Sequence, residues 1–138
     1  GDVQVSCTSG EGFGKVFLEN MSLGIPIIAP DYAALTEVCK KGADLIPLYE
    51  GRAGKYRIHD HIRQVDAGVV NQDKFVESMV RMYDNKSERT ELGFQGQEYA
   101  KNFDYDTVIV PQWDSVFERF NPDTIMASQV FNAIRYNN

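Results

Sequence analysis

The residue types best suited to chemistry lie near the start of the chain. Gly10, Gly12 and Gly14 alternate with Glu11 and Phe13, and a second acid, Glu19, follows Glu11 with seven residues between. Glycines let backbone N–H groups approach an anion closely, and a helix that begins after them points its positive end at the same place. Such a turn suits a phosphate or pyrophosphate. Carboxylates accept paired hydrogen bonds from vicinal hydroxyls. With a helix starting near Gly14, Glu19 stands about 7–8 Å along its axis. One acid could then hold a sugar and the other a ribose, with a pyrophosphate facing the amides between them. Taken as charges alone, the pair reads first as a turn residue favoured by the helix dipole and a solvated helix residue. The stretch is not a P-loop, since no Gly-Lys-Ser/Thr ends it, and the G-x-G-x-x-G dinucleotide fingerprint is absent.

The elements around this turn follow from hydrophobic pattern and punctuation. Residues 3–7 alternate and read as a strand, and residues 15–23 as a helix with Val16, Phe17, Met21 and Leu23 as packing candidates and Gly24 as its stop. Residues 25–29 form a wholly apolar run, which suits a strand covered on both faces. A short helix is expected over 33–40 and a third strand over 44–48, with Pro47 at an edge or strand end. The order β-α-β-α-β with short connections predicts a parallel, helix-covered sheet. Residues 50–68 show no clear period and read as a long loop or insertion. Helices are predicted over 71–83, with Phe75, Val76, Met79, Val80 and Tyr83 at helical spacing, over 87–102, with Leu92, Phe94 and Tyr99 on the buried side, and over 106–120, where Pro111 marks a kink or the true first turn. Asn71 or Asp73 and then Ser87 are the candidate caps. A last helix is expected over 124–136. Three strands are few for such a sheet, so the chain reads as the later part of a domain.

Composition removes other classes. Fourteen basic against twenty acidic residues leave a net charge of −6, a poor balance for holding a nucleic-acid backbone. No apolar run approaches the roughly 18 residues that cross a bilayer, so no transmembrane segment is expected. Two cysteines, Cys7 and Cys39, make no disulfide scaffold, which points to a reducing, cytoplasmic setting. Both read as small packing residues rather than nucleophiles.

Residues 10–31, Gly-Glu-Gly-Phe-Gly-Lys-Val-Phe-Leu-Glu-Asn-Met-Ser-Leu-Gly-Ile-Pro-Ile-Ile-Ala-Pro-Asp, closely resemble the C-terminal nucleotide-sugar-binding domain of retaining glycosyltransferases of the GT-B fold, the glycosyl transferases group 1 family. The family's E-x7-E pair matches at Glu11 and Glu19, its acidic-apolar pair at Glu37 and Val38, and its closing pattern near residues 103–107 and 113–117. The resemblance covers roughly residues 1–120 and is most specific over 10–31. It implies a partial Rossmann-like α/β fold, with the domain over 1–120 and a helical tail over 121–138. It also implies transfer of a sugar from a nucleotide-diphosphate sugar to a glycan, lipid or small-molecule acceptor, with retention at the anomeric carbon. By the same resemblance Glu11 is the catalytic-site acid that contacts the donor sugar, Gly12, Phe13 and Gly14 lie close to sugar and diphosphate, and Glu19 grips the ribose. No cofactor or bound metal is implied. The family's diphosphate-holding Arg and Lys, and the N-terminal part of the enzyme, through which any peripheral membrane contact would come, would precede residue 1. This segment alone is therefore expected to be inactive. Ala33 and Ala34 stand where the family commonly has a glycine pair.

Two rival readings fit the same residues. One is a nucleotide-sugar epimerase or phosphorylase of the same fold, and the other is a non-catalytic nucleotide-binding module. Lys15 reads as a surface residue of the first helical turn. His59-Asp60-His61 has no further placed ligands and reads as solvated loop rather than metal site. Arg52, Lys55, Arg57 and Arg63 make that stretch locally basic. Trp113, Phe117 and Phe120 form a stripe expected to pack into a core.

Overall fold

The computed structural model describes residues 1–62 and 64–120. The chain divides into two compact units, Gly1–Lys101 and Asn102–Asn138. The first unit is mixed α/β. Its three-stranded parallel sheet runs β1 (Gln4–Val5), β2 (Ile27–Pro30), β3 (Ala43–Ile46) in that spatial order. Helix α1 (Lys15–Ser22) joins the first pair and the single turn α2 (Leu35–Val38) the second. The register pairs Gln4 with Ile27 and Ile28 with Asp44. All four β2 residues are buried, as a strand covered on both faces must be. Among the described residues β1 pairs on one side only, and its Val5 is 44% exposed.

Residues 50–68 are not a structureless loop. They form two antiparallel ladders, β4 (Glu50–Gly51) with β5 (Gly54–Lys55), and β6 (Arg57–Asp60) with β7 (Val65–Gly68). Two helices follow, α3 (Gln72–Asp84) and α4 (Lys86–Ala100). Asn71 caps α3, its side chain accepting from Lys74 N at 3.1 Å. Asn85, rather than Ser87, caps α4 and accepts from Glu88 N at 3.0 Å.

The core has two parts, one on each side of the sheet. Phe17 and Met21 of α1 pack with Ile27, Ala29, Leu35, Val38, Cys39 and Ala100. Ile28 and Ile46 pack with Phe75 and Met82 of α3. Several residues expected inside are outside. Val16 and Leu23 are exposed, as are Val76, Met79, Val80 and Tyr83. The buried face of α3 is Phe75, Ser78 and Met82. It is fixed by polar contacts: Asp44 of β3 accepts from both Ser78 Oγ and Arg81 Nη2, and Arg81 Nε also meets Glu88 at 3.0 Å. Arg89 donates to the last carbonyls of α3, those of Met82 and Tyr83.

Helix α4 packs by the absence of side chains. Its buried residues are Gly93, Gly96 and Ala100, whereas Phe94 is exposed and Leu92 and Tyr99 are half-buried. A Cβ on Gly93 would stand 2.1 Å from the Gly24 carbonyl oxygen, and one on Gly42 would stand 2.5 Å from Gly96 Cα. Backbone therefore meets backbone where α4 crosses the end of α1.

In the second unit, Asp104 accepts from Thr107 N at 2.8 Å and caps a π-helical turn, Tyr105–Ile109. The hydrogen bonds from Thr107 hold the Asp104 carboxyl below its ordinary range. Helix α5 (Val110–Arg119) follows, with Pro111 in its first turn. The aromatic stripe does not enter a core: Trp113, Phe117 and Phe120 are exposed, and Trp113 stacks on Phe117 at 5.6 Å between centroids. The helix expected over 124–136 and the tail over 121–138 lie outside the described residues.

Three substitutions test this packing by urea denaturation. Gly93→Ala has no flexible atom to displace and is expected to cost more than about 2 kcal/mol, although alanine is the better helix former by ~1 kcal/mol. Met82→Ala should cost about 2–5 kcal/mol, whereas Tyr83→Ser, its immediate neighbour, should stay within about 0.5 kcal/mol. Equal losses at 82 and 83 would contradict the observed face of α3.

Candidate functional site

Ligands of open parallel sheets bind beyond the carboxyl ends of the strands. Here the segments leaving β1 and β2 meet the β6–β7 pair around an open cavity of about 370 Å³. Ser9, Gly10, Glu11 and Gly12 form the wall that follows β1, and Tyr32 and Ala33 the wall that follows β2. Asp60, Val65, Asp66 and Ala67 of the β6–β7 pair form the third wall. The volume lies within the range of small-molecule sites.

Hydrogen bonds to backbone carbonyls hold the walls together. Gly68 N donates to the Ser9 carbonyl at 2.7 Å, tying β7 to the glycine turn. Tyr32 Oη donates to the Asp66 carbonyl, also at 2.7 Å, tying β7 to the segment after β2. Ala34 N donates to the Glu11 carbonyl at 3.4 Å. The Glu11 side chain folds back on its own turn, where Oε1 accepts from Gly12 N at 2.9 Å. One carboxylate thus satisfies an amide of the glycine turn and keeps further acceptor positions for a ligand.

Gly14 makes the transition into α1. Its φ of +87° is left-handed, a conformation that favours glycine. A Cβ there would stand 3.0 Å from Phe17, 3.1 Å from Leu35 and 3.3 Å from Glu11 Cγ. No side chain caps α1, and its first intrahelical donors are Phe17 N and Leu18 N, both to the Gly14 carbonyl. The amides of the first turn before them are the ones a helix leaves for water or an anion.

The residues expected to act together are therefore divided. Glu11 and Gly12 line the cavity. Gly14 is not a lining residue but the N-cap of α1, and Phe13 is half exposed. Glu19 is one helical turn beyond Lys15 and pairs with it at 3.6 Å, both side chains being largely solvated. Neither is a lining residue. Lys15 is the surface lysine its position suggested.

The β6–β7 wall was not foreseen as part of a site. Along it His59 Nδ1 meets Asp66 Oδ1 at 3.1 Å, the rings of His59 and His61 meet edge-on at 4.9 Å, and Asp60 Oδ1 accepts from Ile62 N at 2.9 Å. Among the described residues, no group of three His, Cys, Asp or Glu is placed to hold a metal ion. Ala33 was noted only as a departure from a glycine. It adopts φ +53°, the conformation a glycine would supply freely, whereas Ala34 is right-handed at φ −61°. A left-handed alanine costs about 1–2 kcal/mol, and strain of this kind gathers at ligand sites.

The cysteines separate in the structure. Cys39 is fully buried, and burial pushes its thiol from 9.0 to about 11. Cys7 is exposed, which corrects the expectation that both pack inside. Among the described residues, no helix is long and apolar enough to cross a membrane. No family model, no curated protein and no solved structure matches the chain.

Two outcomes check this geometry. At pH 8 iodoacetamide should label the exposed Cys7 and leave the buried Cys39 unmodified until denaturant is added, as read by mass spectrometry. Gly14→Ala should lower stability by about 1–3 kcal/mol in thermal melts, while Ala33→Gly should leave it unchanged or raise it by up to about 1 kcal/mol.

Proposed function

We propose that this chain is part of a nucleotide-diphosphate-sugar-binding domain of a retaining GT-B glycosyltransferase, and that the cavity holds the donor. The observation that carries the reading is the cavity's place at the carboxyl end of a parallel sheet, with Glu11 and the glycine turn on one wall. A strand, a glycine turn with a left-handed exit and an uncapped helix supply amides for a diphosphate without a metal. Glu11 supplies a carboxylate for the hydroxyls of the sugar. The left-handed Ala33 supports the reading as well, because it keeps a glycine-like backbone on the facing wall. So does the unpaired side of β1 among the described residues, where the strand order of a doubly wound sheet calls for another strand. In this reading the fold is Rossmann-like and the compartment cytoplasmic, and the acceptor is a glycan, a lipid or a small molecule.

The mechanism in this reading is electrostatic. Departure of the diphosphate leaves negative charge at the glycine turn and cation-like character on the sugar. The amides at the start of α1 would face the first and the Glu11 carboxylate the second. Glu19, a turn further along and on the solvated side of α1, would reach the ribose by leaving Lys15, which costs little because an exposed pair of this kind is worth at most about 0.5 kcal/mol.

Isothermal titration tests the reading with UDP-, GDP- and ADP-glucose. One of the three should bind saturably, and Glu11→Gln, which keeps the oxygen that accepts from Gly12 N, should weaken it about 10–100-fold. Binding of none of them, or unchanged affinity in the variant, would contradict the placement of the donor.

A further inference from the structure

The outer edge of β7 presents main chain to the cavity. Val69 N–H reaches across the ladder to Tyr56 O at 3.1 Å, whereas Gly68 N–H leaves it for Ser9 O at 2.7 Å. Amides along a strand alternate in direction. Ala67 N–H therefore points across to β6, and Asp66 N–H points outward on the same side as that of Gly68. The Asp66 carbonyl leaves by this edge too and accepts from Tyr32 Oη at 2.7 Å. The Asp66 carboxylate is turned aside, since its Oδ1 meets His59 Nδ1 at 3.1 Å across the ladder. Among the described residues no acceptor meets the Asp66 N–H. Asp66 lines the cavity, so a main-chain donor is left open to the occupant.

That donor has acceptors for company. Tyr32 Oη, held on the Asp66 carbonyl, keeps lone pairs of its own. Tyr32 and Glu11 line the same cavity, and the Glu11 carboxylate only accepts at neutral pH. A hydroxyl group donates and accepts at once, so it can take the Asp66 N–H and give its proton to Tyr32 Oη or to Glu11. An ionised phosphate oxygen only accepts, and it would bring like charge towards Glu11. The open stretch is too short for a peptide strand, because the next outward amide, Gly68, is already bound to Ser9. The donor is also held in place: a Cβ on Gly68 would stand 2.8 Å from the Tyr32 ring, so the ring lies against the strand. We propose that the outer edge of β7 at Asp66 is a main-chain subsite for the glycosyl group, where Asp66 N–H donates to a sugar hydroxyl and Tyr32 Oη accepts from one. The inference rests on the nucleotide-sugar reading and assigns this side of the cavity to the sugar.

Amide hydrogen exchange followed by NMR tests this on the full chain. UDP-, GDP- and ADP-glucose are screened first, and the one that binds is compared with its own nucleoside diphosphate. In the free protein the Asp66 amide should exchange at least about tenfold faster than the Gly68 amide, each taken relative to its unfolded rate. Saturation with the nucleotide-glucose should slow Asp66 at least about tenfold, whereas the nucleoside diphosphate alone should change it by less than about twofold. Tyr32→Phe, which keeps the ring against Gly68, should weaken binding of the nucleotide-glucose about 3–10-fold and leave that of the nucleoside diphosphate unchanged. The exchange comparison stands even if this variant fails to fold. An Asp66 amide as protected as Gly68 without ligand would overturn the open edge. Unchanged Asp66 exchange at saturation with a bound nucleotide-glucose would overturn the subsite and leave the nucleotide-sugar reading intact. Equal slowing by the nucleoside diphosphate would overturn the assignment to the sugar. Unchanged affinity in folded Tyr32→Phe would overturn the role of Tyr32 Oη. Binding of none of the three nucleotide sugars would overturn both the reading and the inference.

Discussion

The left-handed turn at Gly14 is the constraint on which the rest of the site depends. It lets the chain leave the glycine turn and enter α1 while Phe17 and Leu35 close over it. Phe17, Leu35 and the Glu11 stem crowd the space a Cβ would need, and Phe17 and Met21 of α1 lie buried with Ile27 and Ala29 of β2. A side chain at this position would have to displace the core or the acid. Folding of the first unit and presentation of Glu11 are thus one packing problem.

Around that turn the first unit uses backbone proximity in place of side-chain bulk. Glycine faces glycine where α4 meets the end of α1 and the start of β3, and the β6–β7 pair reaches the glycine turn through Gly68. At the cavity, the hydrogen bonds from Gly68 N to Ser9 O and from Tyr32 Oη to Asp66 O tie β7 to the other two walls, and ties of this kind lower the cost of ordering walls around a ligand. Ala33 is the exception, a residue held in a backbone conformation that costs energy and facing the same cavity.

Much of the sheet was legible because its signals are local. The apolar run at 25–29 suited a covered strand, found at Ile27–Pro30, and Gly24 ended α1 as a left-handed glycine should. The helices α3 and α4 were legible as helices but not as faces. The strongest apolar spacing on α3, Val76 to Tyr83, lies outside, because Ser78 is drawn inward by Asp44, a partner 34 residues away. The inward face of α4 is glycine and alanine, which carries no hydrophobic signal at all. The β6–β7 pair was illegible for a related reason: Arg57, Ile58 and His59 are all exposed, so no alternation marks the strand. Of the site, Glu11 and Gly12 could be read from the turn itself. The β6–β7 wall could not, since only the antiparallel pairing of two exposed strands builds it.

The central claim is that a diphosphate-bearing sugar lies against the glycine turn and the opposing Tyr32–Ala33 segment. Backbone amide spectra recorded by NMR during titration with UDP-, GDP- and ADP-glucose test it most directly. Saturable shifts should concentrate at residues 10–16 and 32–33 and on β7, with one nucleotide preferred. Shifts confined to α3, α4 or the second unit, or none at millimolar ligand, would contradict it.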